Sequence, residues 1–191
     1  MTALNSSHPP KRRSRSPRLE TIKAVMEVLV STFTIVGAIV AGGWALSEYY
    51  DRKQGDRVTR SLAYQEVYNG TAVFDARQRI TNAWLANEEE FLSVLKEKSV
   101  DEISIYVLGV IDKNDLQTDI EVVTGFFDQL DVCIRRELCD QVTALELFGR
   151  VAEAFNNQHF PYLQLVRERR KDNTFARGLD RIALAQSRSG K

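Results

Sequence analysis

VLVSTFTIVGAIVAGGWAL, Val28 to Leu46, is a run of nineteen residues without a charge. As a helix rising about 1.5 Å per residue, it is just long enough to cross a hydrocarbon core of ~30 Å. A soluble protein could instead bury such a helix on all sides, but 191 residues with 27% charged side chains offer too little core to surround one. A cleaved signal peptide fits less well than an anchor. The apolar stretch exceeds the roughly 7–15 residues usual for a signal, and bulky Trp44 sits among the small residues Ala41, Gly43 and Ala45. The expected element is an uncleaved transmembrane helix over residues 25–47, in a single-pass protein of the plasma (inner) membrane.

The flanks give the topology. Trp44, Tyr49 and Tyr50 lie where the helix would leave the hydrocarbon, and amphipathic rings favour that interface. Residues 1–24 hold Lys11, Arg12, Arg13, Arg15, Arg18 and Lys23 against Glu20 alone, so they carry +5, and the neutral total leaves −5 for the rest. Arg52, Lys53, Arg57 and Arg60 follow the span, and six basic residues against four place the N-terminus in the cytoplasm and the larger domain outside. The Ser- and Pro-rich basic tail, 1–24, has too little apolar surface to order itself. Within the span Thr34, Ala38 and Gly42 repeat at four-residue spacing, a ridge that would let a second helix approach closely. The implied partners are the bilayer and, through this ridge, another copy or a membrane protein.

Beyond the span helix formers prevail to Asn69-Gly70, so residues 48–70 read as a helical extension or linker weakened at Gly55. Residues 71–186 read as a helical domain. Thr71 to Lys98 is expected as one helix with Val73, Ala76, Ile80, Ala83, Trp84, Phe91 and Leu95 on one side and Glu88, Glu89 and Glu90 solvated. Ser99-Val-Asp-Glu102 has the form of a capping box ahead of Ile103 to Ile111, a short buried helix or a strand. Thr118-Asp-Ile-Glu121 suggests a second box, followed by the stripe Ile120, Val123, Phe127, Leu130 and Ile134. Asp140 is placed to cap a helix with Val142, Leu145, Phe148, Ala152 and Phe155 inward. Pro161 then starts a further helix closed by Arg167, Arg169, Arg170 and Lys171, whose charges suit the negative end of its dipole. A last short helix covers Phe175 to Ala185, and 187–191 form a tail. No strand-period alternation persists, so the fold class is all-α: one N-terminal transmembrane helix followed by a small irregular helical bundle.

Chemical motifs are sparse. Asp112-Lys-Asn-Asp115 resembles the start of a calcium loop, but Gln117 stands where that loop needs glycine and Val123 where it needs a bidentate Glu, so it reads as a turn. With only His8 and His159, a histidine metal cage is not available, and His159 reads as a helix-end or turn residue. No glycine-rich phosphate loop or nucleophile elbow is present. No catalytic, cofactor-binding or metal-ligating residue is assigned, no cofactor is expected, and the basic cluster calls for no nucleic acid. Cys133 and Cys139 would lie about 9 Å apart in rise on a continuous helix, beyond disulfide reach. A break between Arg135 and Leu138 would let them bridge: a domain outside the cytoplasm favours the bond, a cytoplasmic one two buried thiols.

The order of anchor, polar extension, GFFDQLDVCIRRELCDQVTALELFG (125–149) and HFPYLQLVRERR (159–170) resembles bacterial single-pass membrane-anchored helical-domain proteins of unknown function. The matching residues are Phe126, Phe127, Cys133, Leu138, Asp140, Phe148, Pro161, Tyr162 and Arg167; where that family commonly has glycine at the corner, this chain has Glu137. The resemblance implies an all-helical fold and transfers no catalytic residue. The functional expectation is a membrane-anchored interaction or scaffold protein, not an enzyme, with an accessory subunit of a larger membrane complex as the alternative.

Overall fold

A computed structural model describes the backbone of residues 17–189 and the side chains of Met26 and of residues 40–189. Among the described residues there are seven helices and no strand: α1 (Pro17–Tyr68), α2 (Thr71–Ala86), α3 (Glu88–Glu97), α4 (Val100–Lys113), α5 (Gln117–Arg135), α6 (Gln141–Arg170) and α7 (Arg177–Ser189). The fold is all-α. The chain divides into two compact units, residues 1–51 and 52–191.

Residues 1–16 of the basic tail lie outside the described residues, as do the side chains of residues 28–39. The membrane span expected over 25–47 finds no support in what is described: among those residues no helix is long and apolar enough to cross a membrane.

The second unit is built around α5. Its stripe predicted from the sequence faces inward, with Ile120, Val123, Phe127 and Leu130 all buried and Ile134 half-buried at the end; Phe126, outside that stripe, is buried as well. α2 and α7 pack against α5, α6 packs on α7 and α4, and α3 leans on α4. The aromatic centre joins three helices, α1, α5 and α6: Tyr68 stands 5.0 Å from Phe126 and 5.4 Å from Phe148, ring centre to ring centre, and Phe126 meets Phe127 at 5.2 Å. Residues 52–68, expected as an extension or linker, are part of this unit and contribute the buried Ser61 and Tyr68 to it.

Polar seams hold the outer helices on α5. Arg79 on α2 donates from Nε to both carboxylate oxygens of buried Asp119, at 3.1 and 2.9 Å. Asp131, also buried, accepts from Arg135 at 2.8 Å and from Arg181 on α7 at 2.7 Å. Each carboxylate thus keeps its charge compensated where an unpaired one would be costly. At the start of α7 the Gly178 N–H donates to Asp128 Oδ1 at 2.6 Å, and a Cβ on Gly178 would lie 2.6 Å from the Asp128 Cα. Glycine is required there because two backbones meet. Gly178→Ala is expected to destabilise the unit by about 2 kcal/mol through overpacking, measured by urea denaturation, whereas an unchanged midpoint would mean that α7 can shift freely away from α5.

Several local expectations are corrected. The helix expected from Thr71 to Lys98 is two, divided at Asn87, whose side chain donates to the Ala83 carbonyl at 2.7 Å and whose backbone leaves helical geometry. Phe91 and Leu95 consequently sit on another helix, and Leu95 is exposed. Ile103 to Ile111 is helical, and Ser99 and Glu102 form the expected capping box. Thr118 caps nothing: α5 starts at Gln117 because buried Leu116, whose N–H reaches the Ile111 carbonyl at 3.0 Å, turns the chain directly into the helix. Pro161 starts no helix but lies within the 30-residue α6. The bond its missing N–H forgoes is outweighed by burial of His159, Tyr162, Leu163 and Val166 around it. Val142 is exposed rather than inward. α7 continues to Ser189, so residues 187–189 of the expected tail are helical, while 190–191 lie outside the described residues.

Candidate functional site: an aromatic groove and a disulfide-bonded corner

α2 and α6 are not closely packed on each other, and a groove of about 570 Å³ opens between them. That volume falls in the ~300–1,000 Å³ range of small-molecule sites. The two helices run in the same direction. At the start, Tyr68 lies under Arg77 of α2, with the guanidinium 3.8 Å from the ring centre, and also touches Phe148 of α6. Further along, Trp84 of α2 reaches His159 of α6. Ile80, Trp84, Val123 and Phe155 line the groove between these ends. The ends differ in charge: Arg77 and Arg150 flank the first, Glu88 and Gln158 the second. Arg150 has no ion pair among the described residues. Burial raises the Tyr68 hydroxyl's pKa above the usual phenol value, with Arg77 partly opposing it.

His159 closes the far end. It is neither at a helix end nor in a turn, contrary to the expectation, but fully buried in the middle of α6. The Trp84 indole N–H can only donate, so His159 Nε2, 3.2 Å away, must accept, and the ring proton resides on Nδ1, which donates to the Phe155 carbonyl at 2.9 Å. The imidazole is therefore neutral, and burial lowers its pKa to about 4. Both ring nitrogens are engaged, so this histidine has no nitrogen free to act as a base. Its partner is 75 positions away in the chain, a pairing that no local spacing could have revealed.

A second constellation lies at the α5–α6 corner. Cys133 and Cys139 are joined in a disulfide, with an S–S distance of 2.05 Å and Cα atoms 5.2 Å apart. α5 ends at Arg135, and the chain reverses through Glu137 at φ 55°, the left-handed region where glycine is at ease and another residue is strained by about 1 kcal/mol. The Leu138 N–H bonds back to the Cys133 carbonyl at 3.0 Å and closes the turn. The last part of α1 clamps the corner from outside: Arg57 donates from Nε to the Glu137 carbonyl at 2.7 Å and pairs with its carboxylate at 3.0 Å. Buried Ser61 Oγ accepts the Asp140 N–H at 2.8 Å. Asp140 caps α6 by accepting from the Thr143 N–H at 2.8 Å, and this bond, with the Thr143 hydroxyl and Gln54, holds its carboxyl below the usual range. The sequence shows the cap, and the break only as the condition for a bond; it holds no local signal of Arg57 and Ser61, some 80 positions distant.

The remaining expected sites are not brought together with these. Trp44, Tyr49 and Tyr50 are exposed on α1, with Tyr49 and Tyr50 edge to face at 5.8 Å. A Cβ on Gly42 would meet nothing within 4 Å, and the side chains of Thr34 and Ala38 lie outside the described residues. In the basic cluster Arg167 binds Asp180 at 2.6 Å and the Phe175 carbonyl at 2.9 Å, while Arg170 pairs with Glu121. Two of its four charges therefore serve packing within the unit. Among the described residues no group of acidic, histidine or cysteine side chains could hold a metal ion. No family model matches the chain, and no curated protein or solved structure matches it either.

Proposed function

We propose that this protein is a membrane-anchored interaction protein, with α1 carrying the anchor and the second unit meeting the partner. The observation that supports the interaction role is a series of apolar side chains left exposed on α3 and α4: Leu92, Leu95, Val100 and Ile105, the last two 79% and 69% exposed. Apolar surface gathered on neighbouring elements is the usual mark of a face that a partner covers. Support for the anchor comes from the uncharged run Val28 to Leu46, which lies inside α1, and from the aromatic residues that follow it. The resemblance to bacterial membrane-anchored helical-domain proteins of unknown function agrees with the anchor alone, and the excess of basic residues before the run favours a cytoplasmic N-terminus.

The test is fractionation followed by purification of the full chain in mild detergent. The protein is expected to stay in the membrane pellet after an alkaline wash, and Ile35→Arg with Ile39→Arg to release it, since each buried arginine costs about 3 kcal/mol at the centre of a span. A stoichiometric partner is expected to co-purify with the parent chain and to be lost from Leu95→Glu with Ile105→Glu. Release of the parent protein by the wash would overturn the anchor, and retention of the partner by the double glutamate variant would overturn the interaction face.

A further inference from the structure

We infer that the groove between α2 and α6 binds a single-chain anionic amphiphile, its acid group on Arg77 and Arg150 and its hydrocarbon chain along Ile80, Trp84, Ala154 and Phe155. The shape, the lining and the charge each point to this class of ligand. From Arg150 to Gln158 the wall of α6 rises about 12 Å, and the facing stretch of α2 from Arg77 to Leu85 about 12 Å, so the groove is long, as a hydrocarbon chain is. Its lining between the ends is aromatic and aliphatic apart from the exposed Thr81, and offers no buried polar group to orient a sugar or a nucleotide base. His159 and Trp84, the buried polar groups nearest the far end, satisfy each other.

The charges are segregated. Arg77 uses the face of its guanidinium on Tyr68 and a single long bond, 3.4 Å, to the Tyr68 carbonyl, which leaves other N–H groups available. Arg150, on the opposite wall, is exposed and without an ion pair among the described residues. Two guanidiniums of this kind suit a carboxylate or a phosphate, which accept several N–H donors at once. Glu88 at the opposite end, with Glu89 and Glu90 beside it in sequence, disfavours an anion there and so sets one polarity for the ligand. A free fatty acid and a lysophospholipid share this chemistry.

The two tryptophans of the chain allow a direct test. The full chain carrying Trp44→Phe, held in solution by an amphipathic polymer, retains Trp84 as its only indole. Brominated stearate, which supplies a carboxylate, and brominated lysophosphatidic acid, which supplies a phosphate, are titrated separately, and the tighter of the two identifies the headgroup. Saturable quenching of Trp84 is expected. Arg150→Glu is expected to weaken it about tenfold, while a brominated alkanol of the same chain length binds more weakly and is indifferent to that change. Ala154→Phe on one wall and Thr81→Phe on the other, both at exposed positions, are expected to abolish saturable quenching with the melting temperature unchanged. Quenching without saturation, quenching that survives both blocking variants, or equal binding by acid and alkanol would overturn the assignment.

Discussion

Phe127→Ala is expected to destabilise the second unit by about 4 kcal/mol, the largest loss of any single truncation in its core. The ring is fully buried on α5, with Phe126 at 5.2 Å, Phe155 at 6.4 Å and Tyr68 at 6.5 Å between ring centres. Those neighbours come from α1, α5 and α6, so no single helix can move inward to fill the space, and the cavity persists. Chemical denaturation should show a lower midpoint with an unchanged slope, accompanied by a fall in melting temperature on the order of 10 °C. Val142→Ala is the companion measurement: its side chain is 65% exposed on α6, and the change should fall within about 0.5 kcal/mol. Equal effects for the two would show that α5 does not carry the core.

The second large effect concerns acid. His159 is neutral in the folded state with a pKa of about 4, held down by burial, whereas in the unfolded chain it titrates near 6.5. Between these two values the unfolded state binds the extra proton, so stability rises with pH through the window and is lost as pH falls from about 6.5 towards 4. A shift of this size corresponds to about 3 kcal/mol. Protonation would also point Nε2–H at the Trp84 N–H, two donors facing each other. His159→Gln removes the titrating group while keeping an acceptor for Trp84, and the difference in stability between parent and variant should shrink or reverse as pH is lowered through the window. Carboxylates with lowered pKa, Asp140 and Glu102, add an acid-sensitive component in both proteins, and Asp128, raised chiefly by burial, opposes it in both. Their contribution cancels in the comparison. Parallel pH profiles for parent and variant would place His159 in water.

Much of the second unit was legible because its signals are local. The Ser99–Glu102 box and the Asp140 cap each act over three residues, and a side chain reaching its own helix's first turn needs nothing from the rest of the fold. The stripe Ile120, Val123, Phe127 and Leu130 follows from helical period alone. Thr118 and Pro161 show where such reasoning stops. A capping box is a sound signal only if the chain enters the helix there, and burial of Leu116 made it enter earlier. Proline ends a helix only when nothing repays the lost bond, and α6 has buried side chains on either side of it.

The sequence by itself determined the all-α class and the cap that starts α6, since each depends on period or capping over a few residues; of the turn read at 112–115 only Asn114 and Asp115 lie outside α4, and the bond between Cys133 and Cys139 stayed open because it hangs on a helix break. Tertiary structure alone decided the groove with its segregated arginines, the neutral His159 under Trp84, and the grip of Arg57 and Ser61 on the α5–α6 corner. These features join residues 73 to 80 positions apart, and no periodicity along the chain encodes which faces of two distant helices will meet. That choice is made by the packing of the whole core, where volume and polar satisfaction must be solved together.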